Sequence, residues 1–172
     1  MNVGFLNPFV EAAYEVIKAD AGFTLTRQAL SLEKEAYQTD DLTVIISLVG
    51  QVEGNVFFGM SAQTALVLVS AMLHEECREL DSLASSGIAE LANVITGRAS
   101  LKLAETGYQA TISPPAVLKG KGTTISALDY TRLVVPLTAS CGTLTIHLAL
   151  RARPDINFDL AVNPTTTNRW LG

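Results

Sequence analysis

A long amphipathic helix is the feature of this sequence that most restricts its fold. From Asp81 to about Thr106 the apolar residues recur at helical spacing, and at about 100° per residue they gather on one face. That face consists of Ile88, Leu91, Ala92, Ile95 and Ala99. A helix with one apolar face must bury it against a second layer. We therefore expect this helix to pack on a sheet.

The opposite face of the same helix carries a narrow polar stripe. The stripe consists of Ser86, Glu90, Asn93 and Gly97, which project together about 180° from the apolar face. We expect Glu90 and Asn93 to be exposed to solvent. A carboxylate beside a carboxamide on a rigid element can position a water molecule or hold a partner. The alternative is an ordinary solvated polar face.

The remaining segments predict an α+β fold with helices packed on an antiparallel sheet. The expected order is one helix, two or three strands, two helices, then three or four strands. Asn7 and Pro8 predict the start of the first helix, with Asn7 as its N-cap, and Gly22 predicts its end. The other expected elements are strands at 42–49, 55–60, 123–128, 131–139 and 143–150, a turn at 50–54, a helix from 61 to 74, and an extended segment at 110–118 broken by Pro114 and Pro115.

Length and composition suggest one domain, over residues 1–150, followed by a tail at 151–172. The chain has 172 residues, of which 48% are hydrophobic, so it can bury a sizeable core. Its net charge of -5 argues against binding to nucleic acid or to an anionic membrane surface. Residues 1–10 lack a signal-peptide pattern, and the longest apolar run, 65–73, is too short to cross a bilayer. We expect a cytoplasmic protein.

Common catalytic and metal-binding motifs are missing from the sequence. Its two cysteines, Cys77 and Cys141, fit no metal spacing, and its two histidines, His74 and His147, form no triad motif. The glycines around Lys121 lack the spacing of a phosphate-binding loop and indicate a turn. We therefore expect no metal ligands in this chain.

The polar stripe resembles the signature of the CheC/CheX/FliY phosphatases of bacterial chemotaxis. That signature is Asp or Ser, three residues, Glu, two residues, Asn, and a Pro about 22 residues later. Ser86, Glu90 and Asn93 match it, and Pro115 follows after 21 residues, one short of the pattern. Framework resemblance extends over about residues 5–150 and includes Gly97, the Gly107-Tyr108 helix end, Asn7-Pro8-Phe9, 50–54 and 65–72. The single motif copy is the arrangement found in CheX.

The resemblance implies a CheC-like fold and a phosphatase that acts on a phosphorylated CheY-like receiver. In such enzymes the asparagine, here Asn93, orients a water molecule for in-line attack on the aspartyl phosphate. The acid, here Glu90, binds the active-site lysine of the receiver. Ser86, Gly97 and Pro115 would contact the partner, Mg²⁺ would belong to the receiver, and the enzyme would be a homodimer. The mechanism is physically reasonable because an acyl phosphate is already reactive and needs mainly positioning.

Two other functional classes fit the same residues. The chain could be a non-catalytic module that binds a receiver or another chemotaxis protein. It could also be a small-molecule sensor, although the sequence offers no convergent polar cluster for a ligand. A turnover assay separates the first alternative from a phosphatase, and a thermal-shift ligand screen tests the second.

The purified protein should contain no stoichiometric transition metal. Elemental analysis should find neither zinc nor iron at one equivalent, because the sequence lacks a ligand set for them. Magnesium dependence should appear only when a phosphorylated receiver is present. A bound zinc or iron whose removal abolishes activity would contradict this interpretation.

Overall fold

Three helices lie on one face of an antiparallel sheet in the computed structural model of this chain, which describes residues 3–126 and 131–155. A short 3-10 turn at Val3–Phe5 leads into α1 (Leu6–Ala21), and the other helices are α2 (Ala62–Leu73) and α3 (Ser82–Glu105). The strands are β1 (Thr26–Arg27), β2 (Ser31–Glu33), β3 (Tyr37–Gln38), β4 (Leu42–Gly50), β5 (Val52–Met60), β6 (Ala110–Ile112), β7 (Ala116–Lys119), β8 (Thr124–Ile125), β9 (Arg132–Ala139) and β10 (Gly142–Ala152). The predicted α+β class, with helices on an antiparallel sheet, is confirmed.

The sheet has the order β1-β9-β10-β5-β4-β6, and every pair in it is antiparallel. Its centre is the long pairing of β5 with β10, from Leu144 opposite Met60 to Ala152 opposite Val52. Each edge position is shared by two short strands. At one edge β1 and β2 both pair with β9, and at the other β6 and β7 both pair with β4.

The main core lies between the helices and one face of the sheet. Alternate residues of the long strands point into it, as a period of two requires. Helices α1, α2 and α3 supply their apolar faces to the same cluster, so a single core joins both layers. The strand contribution includes Val44, Ile46, Leu48, Val56, Phe58, Val135, Leu144, Ile146 and Leu148.

Several predicted element ends are correct because local capping chemistry determines them. Gly22 ends α1 in the left-handed conformation, with φ 78°, and its N–H donates to the Lys18 carbonyl at 3.1 Å. The Ser61 side chain caps α2 by accepting from the Thr64 N–H at 3.1 Å. Asp81 caps α3 in the same way.

Three details of the prediction are wrong. Asn7 is not the N-cap of α1: the helix begins at Leu6 after Phe5, whose buried ring packs edge-on against Tyr108 at 5.4 Å. The expected turn at 50–54 is mostly strand, since β4 runs to Gly50 and β5 begins at Val52. Gly54 permits the close approach of β5 to β10, because a Cβ at this position would lie 2.0 Å from the Ala149 carbonyl oxygen.

The third wrong detail is the number of strands. Five strands precede α2 and five follow α3 in the described residues, where we expected two or three and three or four. Before α2 the additional strands are β1, β2 and β3, each only two or three residues long, and after α3 the expected extended segment at 110–118 forms two strands, β6 and β7. Such short, mostly exposed pairs carry no hydrophobic period that a sequence could display.

The strand β10 continues beyond the expected domain boundary at residue 150. It ends at Ala152, and Arg151 pairs with Glu53 across the sheet. Arg153 adds a second ion pair to Glu53 at 3.2 Å. The rest of the expected tail, 156–172, lies outside the described residues, as does the end of the expected strand at 123–128.

The second face of the sheet carries a smaller cluster under the β3–β8 ribbon. Tyr37 stacks on Phe57 with ring centroids 4.6 Å apart, and the His147 ring meets Tyr37 edge-on at 4.8 Å. Arg132 is buried beside them, 5.5 Å from the centre of the Tyr37 ring, and its Nη2 donates to Glu33 at 2.8 Å. Burial, together with a smaller contribution from the Arg132 guanidinium, lowers the pKa of His147 to about 4.

This histidine should make the fold sensitive to mild acid. Its folded-state pKa lies below the usual 6.5, so the unfolded chain binds the proton first as the pH falls. The free energy of unfolding should decrease between pH 6.5 and 5, at a rate approaching 1.4 kcal/mol per pH unit, roughly the value for one proton. Urea titrations of wild type and His147→Gln should show this slope in the wild type only. Equal slopes would contradict the burial of a neutral imidazole.

Candidate functional site

Helix α3 carries the candidate site and is fixed firmly at its start. The Asp81 carboxylate accepts from the Ala84 N–H at 2.8 Å, and the Ser85 hydroxyl donates to the Asp81 carbonyl at 2.7 Å. Lys119, at the end of β7, donates from Nζ to the Leu80 carbonyl at 2.9 Å. The helix therefore begins at a defined position relative to both the preceding connector and the sheet.

The apolar face of α3 is buried as the sequence predicted. Ile88, Leu91 and Ile95 are each at most 2% exposed and belong to the core shared with the sheet. The buried Thr96 hydroxyl donates to the Ala92 carbonyl at 2.8 Å, just as that of the buried Ser85 donates to the Asp81 carbonyl. Burial along this whole face leaves the helix little freedom to rotate about its axis, so the direction of the opposite face is set.

The polar stripe faces outward, but its two central residues differ in exposure. Glu90 and Ser86 are exposed, as expected, whereas Asn93 is only half-exposed. Asn93 lies on the side of the helix that turns toward β6, because it precedes Ser100 by about two turns. The Ser100 hydroxyl donates to the carbonyl of Ala110, the first residue of β6, at 3.1 Å. Asn93 is therefore less exposed than we expected, and it lies on the side of α3 that contacts β6.

Within the described residues, neither the Glu90 nor the Asn93 side chain forms a hydrogen bond or ion pair. The residues three and four positions away from Glu90 include no cation, so no helix pair neutralises it. The nearby cations of α3 are engaged by α1: Arg98 contacts Glu15 at 3.2 Å and Lys102 contacts Glu15 at 2.9 Å. Both contacts lower the pKa of the Glu15 carboxyl.

This arrangement leaves a carboxylate and an amide available to an external partner. The carboxylate can accept from a cationic group such as an ammonium. The amide can accept from a water molecule through its oxygen and donate to an anion through its nitrogen. Two groups one helical turn apart on a rigid helix suit a reaction that requires positioning more than proton transfer.

Pro115 lies on the neighbouring sheet edge, not on the helix. It belongs to a three-residue break, 113–115, that separates β6 from β7 opposite two residues of β4. Pro114 and Pro115 have no N–H to donate, so Ser113 supplies the hydrogen bonds to the backbone of β4 at this break. Its N–H donates to the Ser47 carbonyl at 2.9 Å, and its hydroxyl accepts from the Ser47 N–H at 2.9 Å. Both β6 and β7 contact α3, so Pro115 lies in the break between the two strands that flank the helix.

The two glycines of α3 have different explanations. A Cβ at Gly87 would lie 2.7 Å from Val69 Cγ2, so this glycine permits α2 and α3 to pack closely. A Cβ at Gly97 would lie 3.8 Å from Ile112 Cδ1, its nearest neighbour, which is ordinary contact. The fold therefore does not require a glycine at 97, although glycine inside a helix is unfavourable relative to alanine.

The sequence analysis missed two exposed leucines on this helix. Leu83 is 58% exposed and Leu101 is 70% exposed. They are eighteen residues apart, which is five turns, and both lie within about 20° of Glu90 around the helix axis. The signal was present in the sequence, since neither leucine shares the phase of the apolar face.

No group of three or more His, Cys, Asp or Glu side chains within 3–126 and 131–155 could hold a metal ion. Over the same ranges, none of the helices has the length and apolar character needed to traverse a bilayer.

A protein-family model identifies the family of this chain. The model described as "Chemotaxis phosphatase CheX" matches residues 42–138, more than half of the chain. This match includes β4, β5, α2, all of α3 and the break that contains Pro115. The chain belongs to the CheX family.

Comparison with individual proteins agrees with this assignment. The chain is 29% identical over 154 residues to the CheY-P phosphatase CheX of Thermotoga maritima, covering 88% of this chain and 99% of that protein. It resembles the crystal structure of a CheC-like superfamily protein from Shewanella sp. PV-4, with TM-score 0.80 and 28% identity, covering 88% of this chain and 100% of that one.

A third relative shares the fold at lower identity. It is the CheX of Borrelia burgdorferi, solved as a CheX-CheY-BeF3-Mg complex, with TM-score 0.72 and 24% identity, covering 87% of this chain and 99% of that one. These comparisons confirm the resemblance noted in the sequence. The individual roles of Ser86, Glu90, Asn93, Gly97 and Pro115 stay predictions.

The two helix glycines should respond oppositely to substitution by alanine. Gly97→Ala should raise the free energy of unfolding by about 0.5–1 kcal/mol, because alanine favours the helix and the added methyl meets no close atom. Gly87→Ala should lower it by about 1–3 kcal/mol, because the methyl overlaps the buried and stiff Val69 side chain. Urea denaturation measures both. A destabilised Gly97→Ala variant would show that the fold itself needs this glycine.

Proposed function

We propose that this chain dephosphorylates a phosphorylated CheY-like response regulator, with Asn93 orienting the attacking water and Glu90 holding the receiver. The observation that carries the proposal is the outward pair on α3, whose carboxylate and amide are engaged by no described residue. Membership in the CheX family supplies the reaction class. The T. maritima relative, named a CheY-P phosphatase, supports the substrate class.

The chemistry assigned to each group follows from its environment. Asn93 is half-buried, which suits a group that must hold one water molecule in line with a phosphorus atom. Glu90 is exposed and uncompensated, which suits a group that must pair with a lysine of the receiver. The phosphoryl group leaves an aspartate of the receiver and passes to water, so no covalent intermediate on this chain is required.

The receiver would supply the magnesium ion that neutralises the phosphoryl oxygens. This division of labour fits a site whose proposed members are one carboxylate and one amide. Ser86, Gly97 and Pro115 would border the contact, with Gly97 permitting close approach of receiver backbone. A cytoplasmic location, expected from the sequence, and a homodimer, implied by the resemblance, are further parts of this proposal. Sedimentation or light scattering would measure the oligomeric state.

A non-catalytic receiver-binding module is the second candidate function. The site geometry favours catalysis over it, because binding alone does not need an amide placed one turn from the anchoring acid. A single-turnover assay distinguishes them: a phosphorylated receiver mixed with this chain should lose phosphate faster than the receiver alone. Unchanged decay together with tight binding would support the module.

Substitution of Glu90 and of Asn93 by alanine should have different effects on turnover and on receiver binding. Asn93→Ala should reduce turnover by on the order of 10²-fold with receiver binding largely kept, since only the water-positioning group is lost. Glu90→Ala should also weaken binding, because it removes a charge-assisted contact between the proteins. Neither should shift the melting temperature much, since no described residue depends on either side chain.

The assay is the decay of a phosphorylated receiver, run beside a binding titration with the receiver loaded with beryllium fluoride and magnesium. Glu105→Ala is the matched control, because Glu105 is an exposed acid of the same helix. It should leave both readouts unchanged. If Glu90→Ala/Asn93→Ala still accelerates decay at the wild-type rate, the mechanism is wrong.

A further inference from the structure

We propose that Leu83 and Leu101 are the apolar anchors that bind the receiver on either side of the Glu90–Asn93 pair. The inference rests on the proposed function and assigns to it a docking surface, here called the leucine line. This surface consists of Leu83, Glu90, Gly97 and Leu101. The order along the helix places the catalytic chemistry between two exposed apolar side chains.

The phase of the helix places these residues on one line. Leu83 and Leu101 coincide in direction after five turns, and Glu90 and Gly97 lie within about 40° of them. Leu83 is about 10 Å from Glu90 along the axis, and Leu101 is about 16 Å from it on the other side, at 1.5 Å per residue. The two leucines are therefore about 27 Å apart.

This span fits one protein–protein contact. A standard interface buries about 800 Å² on each partner, which corresponds to a patch roughly 30 Å across. A receiver that reaches both Glu90 and Asn93 would therefore cover much of the line. The half-exposed Gly97, which the fold does not require, lies between Glu90 and Leu101 and lets the covering surface approach the helix closely.

The polar pair alone does not account for stable docking. An ion pair at a solvated surface adds little net affinity, since desolvation and side-chain ordering offset most of the Coulomb attraction. Burial of apolar side chains supplies affinity without such a penalty. The cations of α3 that could have contributed, Arg98 and Lys102, already contact Glu11 and Glu15 of α1. The leucines are thus the groups on this line best suited to hold a partner.

Single exposed leucines are common on protein surfaces and need no explanation. The coincidence of two with the candidate catalytic line is what favours a role. Elsewhere in the described residues, Leu32 is 65% exposed on β2, at the sheet edge formed by β9 and away from α3. It provides a matched control with the same side chain and a similar exposure.

The test compares Leu83→Gln, Leu101→Gln and Leu32→Gln with wild type. Two measurements are made on each: the Kd for a CheY-like receiver loaded with beryllium fluoride and magnesium, and KM and kcat for the phosphorylated receiver. Each α3 variant should raise Kd and KM about five- to tenfold with kcat within twofold of wild type, as loss of an apolar anchor predicts. Leu32→Gln should change neither. Leu83→Met and Leu101→Met should restore binding, and all melting temperatures should match wild type.

Several outcomes would overturn the leucine line. Wild-type Kd and KM in both α3 variants would show that the leucines are ordinary surface residues. A change of oligomeric state in these variants would identify a second copy of the chain as the occupant. Faster turnover would show that the leucines hinder productive binding of the receiver instead of supporting it.

The same experiment separates this inference from the proposed function. Loss of turnover in Asn93→Ala with unchanged binding in the leucine variants would reject the anchors and keep the phosphatase. Receiver binding that depends on the leucines, without any acceleration of decay by the wild type, would keep the anchors and reject the phosphatase. Failure of every CheY-like receiver to bind would reject both.

Discussion

The burial of one face of α3 is the constraint on which the candidate site depends. That face packs simultaneously against α1, α2 and the β4 edge of the sheet, so three neighbours fix its rotation and its axial position. The cap at Asp81 and the Lys119 contact to the Leu80 carbonyl fix where the helix starts. The direction of the outward residues then follows from helix geometry alone, without loops or bound ions to orient them.

The role of α1 in this arrangement is electrostatic as well as apolar. Its Glu11 and Glu15 hold Lys102 and Arg98, which would otherwise be the nearest mobile cations to the outward face. Exposed ion pairs of this kind add little to stability. Their consequence here is that Glu90 remains a carboxylate without a counter-ion on its own helix. A first helix that contacts no reacting group can therefore still influence how the site meets a partner.

The sequence predicted those parts of the structure that depend on local patterns. The phase of α3, the starts of α2 and α3 and the end of α1 at Gly22 follow from spacing and side-chain chemistry within one or two turns. The prediction from the sequence failed where contacts between residues far apart in the chain determine the local structure. Phe5 starts α1 because it packs on Tyr108, more than a hundred residues away, and Gly54 lies in a strand because β10 passes close to it.

The candidate site shows the same division. The alignment of Ser86, Glu90, Asn93 and Gly97 was readable from a period of 3.6, and so was the outward phase of Leu83 and Leu101, although the sequence analysis did not use it. The half-burial of Asn93 could not be predicted from the sequence, since burial depends on how other elements pack around the helix. The sequence also could not show that the fold requires a glycine at 87 but not at 97, because this depends on which residue of a neighbouring element faces each glycine.

The break at 113–115 has a consequence for how other chains can meet this molecule. Sheet edges are places where a foreign strand can join by backbone hydrogen bonds. At the edge beside α3, two consecutive prolines remove two N–H donors, and the extra residue interrupts the regular ladder. Continuous strand addition across this point is disfavoured, so a partner that approaches the site is selected by its side chains and surface shape. The break thus protects the edge from non-selective pairing where recognition should be most discriminating.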